Sequence, residues 1–208
     1  MLTLIEKIPK DKTMITRIIL SISLFIASVS ARAEQANDHW YLGVAVGALT
    51  YQQSNLANFN LNDHHLILGK QINRYLSAEA HLGSSGSDSV QLSSIPVTLQ
   101  VDNYLAGFVK ARLNVTPADW DTKRLHLYGL LGGTRIKTTS SDPGYTQSGV
   151  QTSVAAGAGL EFQSDNIAVQ FGYIRYVSGS ANNHDYALDS LHIGIIYQFA
   201  DKQAGNAK

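Results

Sequence analysis

Four charged residues lie inside otherwise apolar, alternating stretches of the chain: Glu79, Lys110, Arg112 and Glu161. Side chains of a strand alternate between two faces. On that reading all four fall on the face opposite the leucines, valines and alanines around them. Two carboxylates and two cations facing a common interior must pair, because unpaired buried charge is costly. The set is therefore expected to form a structural plug, with an ion or proton path as the other reading. The histidines raise a second chemistry. His64 and His65 are adjacent and point to opposite faces of a strand, so they cannot chelate as a pair. His81 and His192 are both placed inward. A zinc site needs three or four convergent ligands, and the spacing assembles none, so no metal or other cofactor is expected. Asn183-His184-Asp185 falls in a predicted loop, with no positioned serine beside it to complete a hydrolytic set. No catalytic residue is assigned, and the protein is read as a non-enzyme.

The elements that hold these residues are read from hydrophobic alternation. The last of them, Leu188 to Phe199, organises the rest. Leu191, Ile193, Ile195, Tyr197 and Phe199 share one face; Ser190, His192, Gly194, Ile196 and Gln198 share the other. An apolar outside with a small or polar inside is the pattern of an outer-membrane barrel strand. The same pattern predicts Trp40 to Ala48, with Trp40, Leu42, Val44 and Val46 outward. His64 to Asn73 carries Leu66, Leu68 and Ile72 outward, along with Lys70. Leu76 to Leu82 carries Glu79 and His81 inward. Val101 to Val115 places Tyr104, Phe108, Lys110 and Arg112 inward, and Val150 to Gln163 does the same for Glu161. Ile167 to Tyr173 alternates cleanly. Leu125 to Lys137 is a strand whose facing stays open, because both parities are apolar.

Short connections at Asn73, Thr116 to Lys123, and Ser164 to Asn166 alternate with polar segments at Gln52 to Asn62, Gly83 to Gln100, Thr138 to Gly149 and Gly179 to Tyr186. The latter four are predicted as long loops. Short turns on one side and long loops on the other suit a barrel in the bacterial outer membrane with both termini periplasmic. Within the external loops, Phe59 and Tyr145 are candidate surface contacts, while Tyr51 and Tyr186 suit an interfacial girdle. The predicted fold is all-β: an eight-stranded antiparallel up-and-down transmembrane barrel.

Composition agrees. The chain of 208 residues has no cysteine and no net charge, which argues against thiolate chemistry and against nucleic acid as a partner. Lys7, Lys10, Lys12 and Arg17 precede an apolar run from Ile18 to Val29, and Ala31-Arg32-Ala33 gives a small-x-small cleavage pattern. Residues 1–33 are therefore read as a cleaved signal peptide, with Met14 as an alternative start. Residues 34–199 are the barrel domain and 200–208 a short polar periplasmic tail.

Leu127-Tyr-Gly-Leu-Leu-Gly-Gly, Ala155-Ala-Gly-Ala-Gly-Leu-Glu-Phe, Asn166-Ile-Ala-Val-Gln-Phe-Gly-Tyr and the ending Gly194 to Phe199 resemble the OmpX/Ail and OmpA-like small outer-membrane barrels. The resemblance covers nearly all of the mature chain. It implies membrane and fold rather than an activity. His192, Gly194, Tyr197 and Phe199 match the polar-x-Gly-x-x-Tyr-x-Phe assembly signal of that family, which engages the barrel-assembly machinery; here the chain continues past Phe199. Ile174 stands where the family commonly has an inward acidic residue. The resulting expectation is a structural or surface-interaction barrel in contact with outer-membrane lipid and lipopolysaccharide, with an external or host ligand that the sequence does not name. A lipid A-modifying enzyme and a narrow ion-conducting barrel are the alternatives.

Overall fold

A computed structural model describes residues 39–53, 58–92, 95–118, 120, 123–181 and 184–199. The predicted signal peptide and polar tail lie outside the described residues. Among the described residues nine strands form one sheet: β1 (Trp40–Gln53), β2 (Phe59–Gln71), β3 (Leu76–Ser85), β4 (Ser87–Leu92), β5 (Ile95–Asn114), β6 (Lys123–Asp142), β7 (Tyr145–Ser164), β8 (Ile167–Ala181) and β9 (His184–Gln198). Each pairs antiparallel with its sequence neighbour, apart from β3 and β4, which both pair with β5 in a single register (Gly83 opposite Tyr104, Ser87 opposite Gln100). They are one stave interrupted at Gly86. β9 returns to pair with β1, so eight staves close a barrel.

Paired neighbours followed round the wall from Trp40 run through Lys70, Ala78, Val109, Leu131, Ala156, Arg175 and Asp189, and come back to β1 at Thr50, a stagger of ten residues. With ordinary strand spacing and rise, that stagger tilts the strands by about 40° and gives a backbone radius of about 8 Å. Side chains can fill such a lumen.

Residue type along each strand changes sense part-way up. In the half that carries Trp40 and Phe199, here the near half, the outward side chains are exposed and apolar. Their last members are Val46, Leu66, Leu82, Leu105, Leu131, Val154, Tyr173 and Leu191. Allowing for strand tilt, these eight lie at one height. The next outward positions include His64, Ser84, Asn103, Gly133, Thr152 and Arg175. This is the upper edge of the lipid belt. At the other edge Trp40, Tyr75, Trp120, Phe162, Tyr197 and Phe199 form an aromatic girdle. In it Trp120 meets Phe162 edge-on at 5.8 Å, Tyr197 meets Phe199 at 5.3 Å, and the Lys70 ammonium lies 5.6 Å from the Trp40 ring. Lys70 does point outward, and its stem lets the charge reach that interface.

Above the belt the inside becomes apolar instead. Leu49, Phe59, Leu61, Leu99, Val101, Ile136, Tyr176 and Leu188 are buried together in the far half of the lumen. Strands that stand in water need a core of their own, and the inward face supplies it. Crossing the hydrocarbon takes about 9–11 tilted residues, whereas β5, β6 and β7 each have 20. These three staves therefore project well past the belt.

That projection overturns the long-loop expectation at three places. Gly83 to Gln100 contains the end of β3, all of β4 and the start of β5; Thr138 to Gly149 is a hairpin closed at Pro143-Gly144; strand pairing runs on through Gly179 to Ala181. The polar segment after Gln52 is likewise shortened, with β2 starting at Phe59. Ser-, Thr- and Gly-rich sequence here forms ladders with little apolar alternation to announce them. The facing of the β6 stretch is also settled: Leu127 and Leu131 point out, and His126, Tyr128 and Leu130 point in.

Four cross-strand pairs oppose an inward tyrosine to a glycine: Tyr41–Gly69, Gly83–Tyr104, Tyr128–Gly159 and Gly179–Tyr186. In each pair a Cβ on the glycine would collide with the tyrosine ring or hydroxyl. The rings can lie against the wall only because the facing residue has no side chain. This packing fixes register from inside the barrel.

Candidate functional site

The lumen is layered. Nearest the terminus-bearing mouth, Gln163 donates to Gln198 across 3.0 Å. One layer in, Lys110 is 1% exposed. Its ammonium donates to Glu79 Oε1 at 3.0 Å and to Glu161 Oε2 at 2.6 Å, and it sits 4.5 Å from the Tyr128 ring centroid. Arg112 Nη1 reaches Glu161 Oε1 at 3.5 Å, and the Tyr41 hydroxyl donates to Glu79 Oε1 at 2.8 Å. β3, β5 and β7 thus bring together the four charged residues singled out from sequence. The ammonium is held by two carboxylates and an aromatic face, which is the geometry a desolvated lysine needs.

Sequence alternation alone does not assemble the next layer. His65, His81 and His192 come from β2, β3 and β9 and are 4%, 0% and 2% exposed. The His65 and His81 rings are stacked at 5.1 Å, and His192 meets His65 edge-on at 5.0 Å. His81 Nε2 lies 3.0 Å from Glu79 Oε2. His65 Nδ1 lies 3.3 Å from Asp63 Oδ2. Asp63 is fully buried and accepts from the Tyr104 hydroxyl at 2.6 Å and the Ser190 hydroxyl at 2.5 Å. Beyond Asp63 the apolar far half begins. Among the described residues no group of histidine and carboxylate side chains has metal-binding geometry. Stacked imidazoles direct their in-plane lone pairs side by side rather than at one point.

The remaining predicted residues are placed as follows. His192 and Gly194 face the lumen; Tyr197 and Phe199 face out in the near girdle, and Phe199 N–H donates to Trp40 O at 2.9 Å. Tyr145 is exposed beside the tip of the β6–β7 hairpin. Phe59 is a correction: at 4% exposure it lies in β2, inside the far core and 6.2 Å from the Tyr51 ring, so it offers nothing to an external partner. Tyr51 and Tyr186 pack against that same core rather than in a girdle. Ile174 is fully buried there too, so an apolar contact stands where the resemblance implies an inward acid.

One further feature sits on the projecting sheet. β7 pairs with β6 along its whole length, Tyr145 to Ser164, but with β8 only from Ala156 to Ser164. From Tyr145 to Ala155 its second edge has no strand beside it among the described residues. Gln151 Nε2 donates across the gap to the Tyr186 hydroxyl at 2.5 Å.

The family profile described as Outer membrane protein beta-barrel domain matches residues 19–199. The chain belongs to this family. Solved structures of the same fold include the attachment invasion locus protein Ail of Yersinia pestis, at 17% identity over 78% of this chain and 99% of that one, with a TM-score of 0.54. Neisserial surface protein A is similar at 15% identity over 77% of this chain and 97% of the other, with a TM-score of 0.55. Ail has also been solved in complex with the heparin analogue sucrose octasulfate, and that structure matches at a TM-score of 0.52 and 17% identity over 78% of this chain and 99% of that one. No curated protein matches the chain. The lipid belt, girdle and filled lumen described above are thus those of an outer-membrane β-barrel.

Proposed function

We propose that this outer-membrane barrel is a non-enzymatic surface-interaction protein, with its termini in the periplasm and its projecting β4–β7 sheet outside the cell. The observation that carries this reading is the free edge of β7. An unpaired strand presents a row of backbone donors and acceptors that can accept another strand. From Tyr145 to Ala155 the edge reads Tyr-Thr-Gln-Ser-Gly-Val-Gln-Thr-Ser-Val-Ala, with no lysine, proline or other charge to block pairing. Tyr145, beside its tip, adds an exposed aromatic contact. The partner that fits is an extended segment of an external polypeptide, held by main-chain hydrogen bonds.

A second copy in the same membrane fits poorly. A two-fold axis along the membrane normal would cross two strands tilted by about 40° at roughly twice that angle, which breaks a ladder. A polyanion such as the heparin analogue bound to Ail also fits poorly, because the far end carries Asp88, Asp102, Asp142, Asp185 and Asp189 against Arg135, Lys137 and Arg175. The periplasmic assignment of the termini rests on the short turns at the near mouth, and His192, Gly194, Tyr197 and Phe199 remain the proposed assembly signal. The lumen, filled by Lys110 and its partners, supports a plug rather than a wide pore.

The test is surface display followed by binding. The Thr146→Cys variant on intact cells should react with a membrane-impermeant maleimide. Val150→Lys and Thr152→Lys should abolish capture of extended peptides while leaving barrel formation unchanged. A Thr146→Cys variant that stays unreactive on intact cells, or peptide capture unaffected by both lysines, would overturn the proposal.

A further inference from the structure

The ring cluster of His65, His81 and His192 has no part in that surface role, nor has His126, which also faces inward from β6, and the surroundings of the cluster point to a ligand of a simple kind. Asp63 is fully buried, and its described contacts are the Tyr104 and Ser190 hydroxyls and His65. Among the described residues, neither lysine nor arginine reaches it. A buried carboxylate without a cation is costly. Among the described residues the deep lumen carries three carboxylates, Asp63, Glu79 and Glu161, against two fixed cations, Lys110 and Arg112. One positive charge is missing.

We infer that His65, His81 and His192 together hold one proton as the counter-ion of Asp63. His65 is in reach of the carboxylate, and its ring touches both other imidazoles at 5.1 and 5.0 Å. An imidazolium stacked on a neutral imidazole is stabilised by the neutral ring's π face. A buried imidazole nitrogen normally has a hydrogen-bond partner, yet both nitrogens of His65, Nδ1 of His81 and both nitrogens of His192 make no hydrogen bond to the described protein atoms, and His65 Nδ1 meets Asp63 Oδ2 as an ion-pair contact at 3.3 Å. Free lone pairs are what a shared proton needs.

The groups facing the triad limit it to one proton. Asp63 on β2 and Glu79 on β3 attract; Lys110 on β5, already shared by Glu79 and Glu161 of β7, repels a second charge. Tyr104 on β5, Tyr128 on β6 and Tyr176 on β8 are neutral hydroxyls, and β1 presents Tyr41. Access is one-sided. Toward the near mouth a chain of polar contacts runs from the triad through Glu79, Lys110 and Glu161 to Arg112, beside the apolar cluster of Tyr41, Ala45, Ile67, Ala168 and Ile196, whereas the far side holds the larger apolar core with no such chain among the described residues. The proton therefore exchanges with water at the terminus-bearing mouth.

Nitrogen-15 histidine spectra of the full protein in lipid nanodiscs test this directly. Between about pH 8 and about pH 6, the range in which histidine charge normally changes, the triad should carry one imidazolium in total, spread over its three rings. Asp63→Asn should remove that charge and leave three neutral rings. Three neutral rings in the wild-type protein, or a triad charge unchanged by Asp63→Asn, would overturn the inference. If Asp63→Asn fails to fold, the wild-type spectrum decides alone. In oriented proteoliposomes a pH jump on the terminus-bearing side should move the triad signals, and a response from the far side would overturn the one-sided access.

Discussion

Lys110 is the residue on which the near lumen depends. Its ammonium lies between Glu79 and Glu161 with almost no contact with water. Lys110→Met keeps most of the volume and leaves two carboxylates facing each other. Removing one partner of a buried pair costs about 3–5 kcal/mol. Urea unfolding of the variant in lipid vesicles should show a loss of that size, and adding Glu161→Gln should recover part of it. A loss below about 1 kcal/mol, the range of an exposed pair, would mean that the charges are solvated. The four charges are legible in the sequence because each interrupts an apolar alternation. The histidine triad is not. It needs the registers of β1 with β2 and of β1 with β9, which place His65 opposite Ala45 and Gly194 opposite that same alanine. Small side chains on β1 leave the space through which His65 and His192 meet, and no local spacing reports that.

At the level of the strand, the belt edge makes a sharp contrast available. On β7, Val154 is the last apolar residue level with the belt edge and Thr152 stands just above it, with Val150 exposed further out; on β8, Phe171 lies deeper in the belt. Phe171→Arg should destabilise by about 2–4 kcal/mol, whereas Thr152→Arg should cost at most about 1 kcal/mol. Folding titrations in vesicles measure both, and equal costs would misplace the belt. The tyrosine–glycine pairs give a test from inside: Gly83→Val drives a side chain into the Tyr104 ring and should cost about 1–3 kcal/mol by overpacking. β1, β8 and β9 are readable because lipid imposes strict alternation on them. The upper parts of β3 to β7 are not. There the outer face meets water and the inner face is only partly covered, so Ser89, Thr139 or Ser148 serve as well as an apolar residue would. Ser89 and Thr98, like Thr139 and Ser148, bond hydroxyl to hydroxyl across the ladder at 2.7 and 2.8 Å. The sequence signature of such a hairpin is that of a loop.

For the whole molecule, the near-half barrel and the far projection should be separable. Replacing Ser140 to Gln147 by Asn-Gly shortens the β6–β7 hairpin well above the belt, and the product should still be embedded in the membrane and shift on heating in a gel. Phe199→Ala removes the last rung's outward anchor beside Tyr197 and should sharply lower the heat-modifiable fraction. The reverse pair of results would mean that closure depends on the far hairpin and not on β9. The ten-residue stagger has a consequence for descent. New barrels can arise when a hairpin is copied in the gene, adding two staves at once. Here such a copy would widen the cylinder by about a quarter, since diameter grows roughly in proportion to strand number. Glu79 and Glu161 would then stand too far apart for a single ammonium to bridge, and the stacked imidazoles would separate. A ten-stave descendant would inherit a wet, charged conduit at the moment of duplication, and its history would begin with selection on what leaks through.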